Sequence, residues 1–320
     1  MFKNKKLIII IAGTLIIVFL IVLLIIFLIK NKAEYSQNQI TDKTAFYPEI
    51  VSDSNIIYLA GLEQTLIKST LSNDIIDSNP VDVPFVTSIA YSLDHEKAIL
   101  KTFDASNNIN QIYVYNFVDK YLQKLDIQIV DAVWDQNNLT YLSFETGNRN
   151  MYYSQWNGQN ATLIKPEFDK CDALILSDIT NNILICSSTN EDMTKNVLYS
   201  KNNDENIIIK NNRFSTKVSS DQKKVLFVFE NENLQWLTAD NSKLTDIKKI
   251  ISYENINWSS DSTRLVYYDQ KKSAIYEYSI NDQKQNLLTT QKDNITSISQ
   301  FTDGRLLIGI DDYLYLRTPH

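Results

Sequence analysis

The sequence predicts an all-β protein, a seven-bladed β-propeller of four-stranded antiparallel blades, preceded by one N-terminal transmembrane helix. Three observations lead to this prediction. An Asp recurs in a short polar turn at nearly constant intervals, each interval has room for four short strands, and the chain begins with a long uncharged apolar run. A sheet of four short strands cannot bury both of its faces alone, so neighbouring copies must cover them.

The repeat is an Asp in a polar turn that leads into an apolar run, as in NWSSDSTRLVYY and QFTDGRLLIGI. The seven turn aspartates are Asp53, Asp94, Asp135, Asp178, Asp221, Asp261 and Asp303. The intervals between them are 41, 41, 43, 43, 40 and 42 residues. Periods of about 40 to 45 residues with four strands each are typical of propeller blades, so seven turns predict seven blades.

Each unit contains the pattern of four strands joined by hairpins. In residues 255–290 the strands are NINWS, TRLVYYD, AIYEYSI and QNLLT, separated by SDS, QKKS and NDQK. Because the chain has only six Gly, we expect Asn and Asp to supply left-handed turn positions. The last unit stops after three strands, and we expect residues 35–43 or 44–51 to supply its fourth strand and remove an open edge.

The apolar run from Leu7 to Ile29 contains 23 residues without a charge. As a helix it would be about 35 Å long, enough for a hydrocarbon core of about 30 Å. A cleaved signal peptide is the alternative, but its apolar region would be shorter and would end in small residues, whereas this run ends in Lys30-Asn31-Lys32. The predicted organisation is a cytoplasmic flank at 1–6, a transmembrane helix at 7–29, a tether at 30–43 and a β-propeller domain at 44–320.

Charges around the apolar run predict its orientation. Lys3, Lys5 and Lys6 precede the run, while Lys30 and Lys32 follow it. The positive-inside rule therefore favours a cytoplasmic N-terminus and a propeller outside the cytoplasm.

Charge also limits the partners of the propeller. Five of the 31 basic residues flank the apolar run and all 38 acidic residues follow it, so 26 basic residues face 38 acidic ones and the net charge is −12. Phosphate contacts need a basic stripe, which the sequence lacks. We therefore expect no nucleic acid partner, and we attribute the negative charge to solubility rather than to recognition.

Two units resemble the WD-repeat-like units of TolB-type β-propellers. The resemblance is carried by NWSSDSTRLVYYD followed by AIYEYSINDQKQNLLT, and by QFTDGRLLIGI. It extends from about residue 44 to 316 and is degenerate elsewhere, since Ser259-Ser260-Asp261-Ser262 replaces the family's Ser-Pro-Asp-Gly turn and only Thr302-Asp303-Gly304 keeps Asp-Gly. The resemblance implies an exported protein that binds other proteins, or a propeller attached to a hydrolase domain, and we identify no such domain after the last unit.

Catalytic residues are not predicted. The two histidines, His95 and His320, do not share a motif, which disfavours a His-based triad and a metal site. The turn aspartates recur at one structural position, so we expect them to accept backbone N–H groups rather than to act as acid and base. The oxygen-rich loops 104–110 and 190–194 lack the calcium-loop pattern. We therefore expect neither a metal nor a cofactor.

Aromatic residues recur at equivalent positions, with Trp134 and Trp258 ending first strands and Trp156 and Trp236 in third strands. Packing between blades is the expected role. An aromatic sugar platform is the alternative if a ring faces the central channel.

Cys171 and Cys186 are equidistant from position 178.5, the centre of the predicted turn Ser177-Asp178-Ile179-Thr180. Residues equidistant from a symmetric hairpin turn face one another, with Cβ atoms about 4.5 to 5.5 Å apart. A disulfide, which export would permit, and two buried free thiols both fit the sequence.

The leading hypothesis for function is a non-enzymatic, membrane-anchored propeller that binds a protein partner in an envelope or membrane complex, or an extracellular ligand. One alternative is a carbohydrate-active or peptide-processing enzyme with its site in the central channel. Another is a structural subunit whose helix packs against other helices, for which Ala12, Gly13 and Thr14 form only a weak packing signal.

Overall fold

The computed structural model describes residues 35–319 except 62, 108, 146, 203, 231, 232, 248, 249, 251, 252 and 254. The cytoplasmic flank at 1–6 and the transmembrane helix at 7–29 that the sequence predicts lie outside these residues. Within the described part of the chain, no helix is long and apolar enough to cross a membrane.

The described residues form 28 β-strands and one short 3-10 turn at Gln270–Lys272. In chain order the strands are β1 (Tyr35–Gln39), β2 (Ala45–Ile50), β3 (Asn55–Ala60), β4 (Thr65–Thr70), β5 (Ile75–Pro80), β6 (Phe85–Tyr91), β7 (Lys97–Asp104), β8 (Ile109–Asn116), β9 (Tyr121–Lys124), β10 (Ile129–Asp135), β11 (Asn138–Glu145), β12 (Asn148–Ser154), β13 (Thr162–Lys165), β14 (Ala173–Asp178), β15 (Ile183–Thr189), β16 (Lys195–Lys201), β17 (Asp204–Asn212), β18 (Phe214–Val218), β19 (Lys224–Phe229), β20 (Leu234–Thr238), β21 (Thr245–Asp246), β22 (Asn255–Trp258), β23 (Arg264–Asp269), β24 (Ala274–Ser279), β25 (Lys284–Thr290), β26 (Ile295–Gln300), β27 (Leu306–Ile310) and β28 (Tyr313–Pro319).

These strands form seven antiparallel sheets of four strands, which confirms the predicted seven-bladed β-propeller. Blades 1 to 6 are β2–β5, β6–β9, β10–β13, β14–β17, β18–β21 and β22–β25 in chain order. Blade 7 contains β26, β27 and β28 with β1 as its outermost strand. The first strands of neighbouring blades contact one another, and the contact between β2 and β26 closes the ring.

Strand β1 settles which segment completes the last blade. It pairs antiparallel with β28, from Tyr35 opposite Pro319 to Gln39 opposite Tyr315. The first of the two candidate segments, 35–43, therefore supplies the missing strand. Part of the segment interpreted as a tether thus lies within the ring, and the free edge of β28 is covered.

The hydrophobic core lies between blades. The buried apolar residues of the described chain form seven clusters, and each cluster joins two neighbouring sheets. In the cluster between blades 4 and 5, Ile185 and Val197 pack with Phe227. This arrangement is the physical reason for the ring, because each sheet hides its apolar faces only against its neighbours.

The two sides of the ring differ in their connections. The side that we call the turn face carries the connections from first to second strand and from third to fourth strand, which include the turn aspartates. The opposite side, the loop face, carries the connections from second to third strand and from one blade to the next. Four-stranded antiparallel blades fix this division, because successive strands run in opposite directions.

Left-handed backbone is common at the turns. Among the described residues, 18 non-Gly residues have a positive φ, and seven of them are Asn or Asp. Asn and Asp therefore supply fewer than half of these left-handed positions, and other residue types supply the rest. In five blades the residue after the turn Asp is left-handed, and the positions are His95, Gln136, Gln222, Ser262 and Gly304. These occupy the place of Gly in a Ser-Pro-Asp-Gly turn.

Candidate functional site

A cavity of about 500 Å³ lies in the central channel of the ring. Its wall includes first-strand residues of several blades, among them Glu49, Ile89, Ile175 and Lys217. Pockets that bind small molecules fall in the range of about 300 to 1,000 Å³, so the cavity is large enough for a small ligand.

A β-bulge in β2 shapes one side of this cavity. The pairing of β2 with β3 shifts register between Phe46 and Glu49, and Tyr47 within the bulge has a φ of 52°. A bulky residue with positive φ is rare and costs conformational energy, which surrounding contacts must offset. Tyr91 donates its hydroxyl to the Tyr47 carbonyl oxygen at 3.2 Å, and the Tyr47 hydroxyl donates to the Thr87 carbonyl oxygen at 2.9 Å. The bulge is therefore held to blade 2 from both sides.

The charges in the cavity are perturbed by their surroundings. Burial raises the pKa of Glu49 to about 7, although the positive charge of Lys217 opposes this effect. Burial lowers the pKa of Lys217, against the effect of Glu49. Burial and the negative charge of Glu49 raise the pKa of Tyr91 above its usual range. Solvent reaches Lys217 through the channel, but the protein surrounds both charged groups closely enough to disfavour their ionised forms.

A second lysine beside the cavity is neutralised by an ion pair. Lys101 binds the carboxylate of Asp131, which is itself buried. The other Asp131 oxygen accepts the backbone N–H of Leu174 at 2.6 Å. Asp131 thus links blades 2, 3 and 4.

His95 also lines the cavity. Burial lowers its pKa, although the charge of Asp94 opposes the effect, so the imidazole is disposed to be neutral. Its Nδ1 is buried and has no hydrogen-bond partner among the described residues. No described hydroxyl or carboxylate therefore orients this nitrogen as in a catalytic triad.

The tryptophans at the ends of first strands pack between blades. Trp134 and Trp258 are only 5% and 3% exposed. Trp134 donates its indole N–H to the Ala90 carbonyl oxygen at 2.8 Å, and Trp258 donates to the Lys217 carbonyl oxygen at 2.9 Å. Each bond reaches the preceding blade, which fits the packing role, and both residues also contribute to the wall of the central cavity. Trp156 lies in the turn after β12 and not in a third strand as the sequence pattern suggested.

The turn aspartates fall into two groups. Five of them, Asp94, Asp178, Asp221, Asp261 and Asp303, accept backbone N–H groups of their own turns. Asp135 instead accepts the Ile179 N–H of the next blade at 2.8 Å, and Asp53 accepts the Thr302 hydroxyl of the last blade at 3.1 Å. The turn Asp thus holds either its own hairpin or the neighbouring blade.

Blades 2, 5 and 6 share a complete turn network, which is clearest at Asp261. One Asp261 oxygen accepts the Ser259 hydroxyl at 2.6 Å and the Thr263 N–H at 3.0 Å, while the other accepts from Arg264 at 3.0 Å. Burial raises the pKa of Asp261, but these hydrogen bonds and the Arg264 charge outweigh it and lower the pKa to about 2. The ionised carboxylate is therefore the form that the turn requires.

We expect Asp261→Asn to lower the free energy of unfolding by about 1 kcal/mol at pH 7, a value reduced for partial solvent screening. Because the folded pKa lies below the unfolded one, the stabilisation is present above pH 4 and declines as the pH falls towards 2. Urea unfolding at pH 7, 4 and 2.5 measures the difference between variant and parent, which should shrink at the lowest pH. Asp240→Asn, at an exposed turn position, is the control. A difference that stays constant with pH would contradict this role.

Cys171 and Cys186 form a disulfide with Cα atoms 5.8 Å apart, and both residues are buried. The two residues do not face one another directly. Cys186 pairs with Leu174, and Cys171 precedes β14. The expected symmetry about a turn at 177–180 is wrong, because the hairpin turn comprises residues 179–182 and a bulge interrupts β14 between Leu174 and Leu176.

Five exposed apolar residues lie at the loop-face ends of strands in blades 2 and 3. Phe85 and Ile127 are 70% and 62% exposed, and Ile109, Val130 and Phe144 are also exposed. These residues begin β6, β8 and β10, end β11, or lie in the connection before β10. We call this set the loop-face patch.

Carboxylates surround the loop-face patch. Asp82 precedes Phe85, Asp104 pairs with Ile109, Asp126 precedes Ile127, and Glu145 follows Phe144. Two cations lie nearby: the charge of Lys124 acts on Asp104, and Arg149, which is opposite Phe144, forms an ion pair with Asp172 at 3.1 Å. The patch therefore combines apolar side chains with a predominantly negative rim.

The described residues include no group of three or more His, Cys, Asp or Glu side chains that could hold a metal ion. Within the cavity of the described ring, Glu49 is the single carboxylic acid. An acid and base pair of the kind that glycosidases use is thus not assembled by the cavity's described lining.

Sequence reasoning did not identify Glu49, Lys217 or the loop-face patch. Glu49 lies at a bulge, and Lys217 occupies an ordinary strand pattern in a different blade. One signal for Glu49 was available, because a Tyr-Pro step inside a first strand favours a bulge.

Comparison with known proteins identifies no family model and no curated protein that matches the chain. Solved structures do match. A β-propeller domain of Myceliophteria thermophila Cps50 (Swd1) has a TM-score of 0.61 and 9% identity, covering 90% of this chain and 100% of that one. The WD40 β-propeller domain of Doa1 has a TM-score of 0.56 and 11% identity, covering 90% of this chain and 97% of that one. The WD40 repeats of RRP9 have a TM-score of 0.57 and 11% identity, covering 90% of this chain and 100% of that one. At this identity the similarity shows the fold, a seven-bladed β-propeller with WD40 structural neighbours.

Proposed function

We propose that the chain is a membrane-anchored, extracytoplasmic β-propeller that acts as a non-enzymatic protein-interaction module in an envelope or membrane complex. The loop-face patch is the observation that carries the proposal. We also propose membership of the TolB-type propellers, on the motifs at residues 257–269, 274–289 and 300–310.

The loop-face patch has the composition of a binding surface. Phe85 and Phe144 offer large apolar area, and exposed apolar surface rimmed by polar groups is typical of interaction sites. Leu125 and Ile129, two positions before and after Ile127, are buried in the core between blades 2 and 3. The segment that carries Ile127 is therefore attached to the core at both ends, and a surface ordered before binding loses less entropy when a partner binds.

The negative rim defines the chemistry of the partner. Asp82 and Asp126 are exposed beside the patch, and a partner that presents an apolar side chain next to Lys or Arg would match both features. Charge complementarity of this kind favours encounter and suppresses acidic competitors. We propose a basic and apolar protein segment as the partner's contact.

The polarity of β1 supports an orientation in which the loop-face patch is turned away from the membrane. Tyr35 starts β1 opposite Pro319, at the turn face, and the strand ends near the loop face, where the Ile40 N–H donates to the Leu314 carbonyl oxygen. Only residues 30–34 separate Ile29 from Tyr35, a chain that spans at most about 20 Å. An anchor at 7–29 would therefore hold the turn face towards the bilayer and leave the loop face open to partners.

A second candidate function is an enzyme with its site in the central channel. The raised pKa of Glu49, about 7, favours it, because a general acid needs a pKa near the working pH. A hydrolytic site of the glycosidase kind also needs a second carboxylate of distinct environment, and the described lining of the cavity offers none. The protein-interaction module is therefore the better-supported function.

The test uses membranes from cells that produce the full chain with a photo-crosslinking residue in place of Phe85. Ile207, 52% exposed on outer strand β17, is the matched control position. We expect the chain to stay with the membrane at alkaline pH and to form one discrete crosslink to a protein from position 85 but not from position 207. With that protein purified, Phe85→Ser and Phe144→Ser should each weaken binding at least about tenfold.

The two parts of the proposal fail separately. Release of the intact chain at alkaline pH would remove the membrane anchor from the proposal without affecting the interaction surface. Equal crosslinking from positions 85 and 207, or unchanged affinity in both Ser variants, would exclude the loop-face patch as the binding surface. Circular dichroism of the Ser variants establishes that they are folded.

A further inference from the structure

Two opposite charges face the central cavity from blades that are not neighbours. Glu49 comes from β2 of blade 1 and Lys217 from β18 of blade 5, and both line the same cavity of about 500 Å³. A smaller adjoining cavity, between blades 1, 5, 6 and 7, also reaches Lys217. The two groups therefore lie on different sides of one water-accessible space.

These charges affect each other without making contact. Glu49 and Lys217 interact electrostatically, but among the described residues neither side chain has an ion-pair or hydrogen-bond partner. The other lysine of the cavity, Lys101, is neutralised by Asp131. Glu49 and Lys217 are thus the carboxyl and the amine of the described cavity that remain available to a ligand, and a counter-charge on that ligand would favour the ionised form of each.

A structural pair would be arranged differently. Charges that are removed from water stabilise a fold when they meet each other in good hydrogen-bond geometry. Here the β2 bulge holds the backbone beside Glu49 in a strained conformation, with Tyr47 at a φ of 52° and its carbonyl oxygen bonded to Tyr91. Bulges reorient side chains next to functional sites, and backbone strain is concentrated at such sites.

The rest of the wall is suited to a small amphipathic ligand. Ile89, Ile175 and Val218 contribute apolar surface, and Ser88, Asn257 and Ser299 contribute hydroxyl and amide groups. The Asn257 amide donates to the Ser299 hydroxyl at 3.1 Å, which fixes both side chains. Walls of mixed character with a few placed polar groups are typical of small-molecule sites.

We propose that the central channel binds a small zwitterion of the amino acid or short peptide class, whose ammonium group contacts Glu49 and whose carboxylate contacts Lys217. A molecule that carries both charges compensates both residues at once, whereas a simple anion or cation leaves one of them without a counter-charge. A charge-assisted hydrogen bond at each end sets the direction in which the molecule lies. This site is separate from the loop-face patch and independent of membrane anchoring.

Isothermal titration of the full chain in detergent with three matched probes tests the site. The probes are dialanine, N-acetyl-dialanine, which lacks the ammonium group, and dialanine amide, which lacks the carboxylate. We expect saturable binding of dialanine with one site per chain, and binding at least about tenfold weaker for each blocked probe.

The variants E49Q and K217M assign the two ends. In E49Q the ratio of the affinity for dialanine to that for N-acetyl-dialanine should fall towards one. In K217M the ratio of the affinity for dialanine to that for dialanine amide should fall towards one. Glu96→Gln and Lys292→Met, at exposed positions, should keep both preferences. Thermal unfolding of each variant establishes that it is folded.

Two results would overturn the proposal: no saturable heat with dialanine at millimolar concentrations, or equal binding of the three probes to the unmodified chain. Retention of both preferences in E49Q and K217M would equally exclude these residues as the contacts. The probe series on the unmodified chain decides the question even where a variant does not fold.

Discussion

Replacing Ile40 by Ala should lower the free energy of unfolding by about 2 to 5 kcal/mol, the usual cost of removing a large buried aliphatic side chain. Ile40 is 1% exposed and packs in the cluster between blades 7 and 1, against residues that include Phe301 and Leu314. It follows directly after β1, the strand that completes blade 7.

The position of Ile40 explains why the effect should reach the whole ring. Ile40 donates its N–H to the Leu314 carbonyl oxygen at 2.8 Å, the Thr41 hydroxyl oxygen accepts the Leu314 N–H at 2.9 Å, and the Ala45 N–H donates to the Asp312 carbonyl oxygen at 2.6 Å. These bonds join the chain's first strands to its last blade. A cavity at this point weakens the packing beside the β1–β28 pairing, the non-covalent contact that closes the described ring. Unfolding should therefore remain cooperative but begin at lower denaturant.

Urea unfolding followed by tryptophan fluorescence measures the change. Ile127→Ala is the matched control, because Ile127 is 62% exposed and its truncation should change stability by no more than about 0.5 kcal/mol. A loss below about 1 kcal/mol for Ile40→Ala would mean that the junction contributes little to the stability of the ring. Equal losses in the two variants would contradict the proposed importance of the closing strand.

The blades were predictable because their signals are local and repeated. An Asp at a fixed place in a hairpin, followed by an alternating apolar run, needs only neighbours in sequence to be recognised, and seven copies reinforce one another. The chain closure was predictable for a different reason. A final unit of three strands leaves an edge that a terminal segment must cover, and residues 35–39 do so.

The candidate sites depend on features that the repeat does not record. Glu49 lines the channel at a bulge in β2. It interacts electrostatically with Lys217 because the closed ring places blades 1 and 5 around the same cavity. The loop-face patch has the same origin, since Phe85 and Phe144 belong to different blades. The residues of each candidate site come together only in the folded ring, so no spacing in the sequence predicts them.

The sequence predicts that Cys171 and Cys186 lie close together, although the strand register on which that prediction depends differs from the observed one. The sequence predicts Cys171 opposite Cys186 by symmetry about a turn at 177–180, yet Leu174 is the residue that pairs with Cys186. A four-residue turn at 179–182 and the bulge in β14 move the register by several positions. A single extra residue in a strand changes which side chains are opposite, so hairpin symmetry predicts a neighbourhood rather than a partner.

Replacing both Cys171 and Cys186 by Ala should lower the free energy of unfolding by about 3 kcal/mol, the chain-entropy contribution of a loop of about 15 residues. The two residues are separated by 15 positions and both are buried in the cluster between blades 3 and 4, beside Leu174 and Met151. The crosslink restricts the unfolded chain, and the lost sulfur atoms add a smaller packing cost. We therefore expect the effect to be larger than that of a surface substitution and comparable to that of Ile40→Ala.

Reductant separates the two contributions. Urea unfolding of the unmodified chain and of the double variant, each with and without dithiothreitol, should show a difference of about 3 kcal/mol under oxidising conditions and about 1 kcal/mol or less under reducing conditions. The double variant itself should not respond to dithiothreitol, since Cys171 and Cys186 are the only two cysteines of the chain. Mass spectrometry of the chain alkylated in denaturant counts the free thiols. Two alkylated thiols in protein recovered from its native compartment, together with no effect of reductant on stability, would contradict the disulfide, and they would also argue against an oxidising location for the propeller.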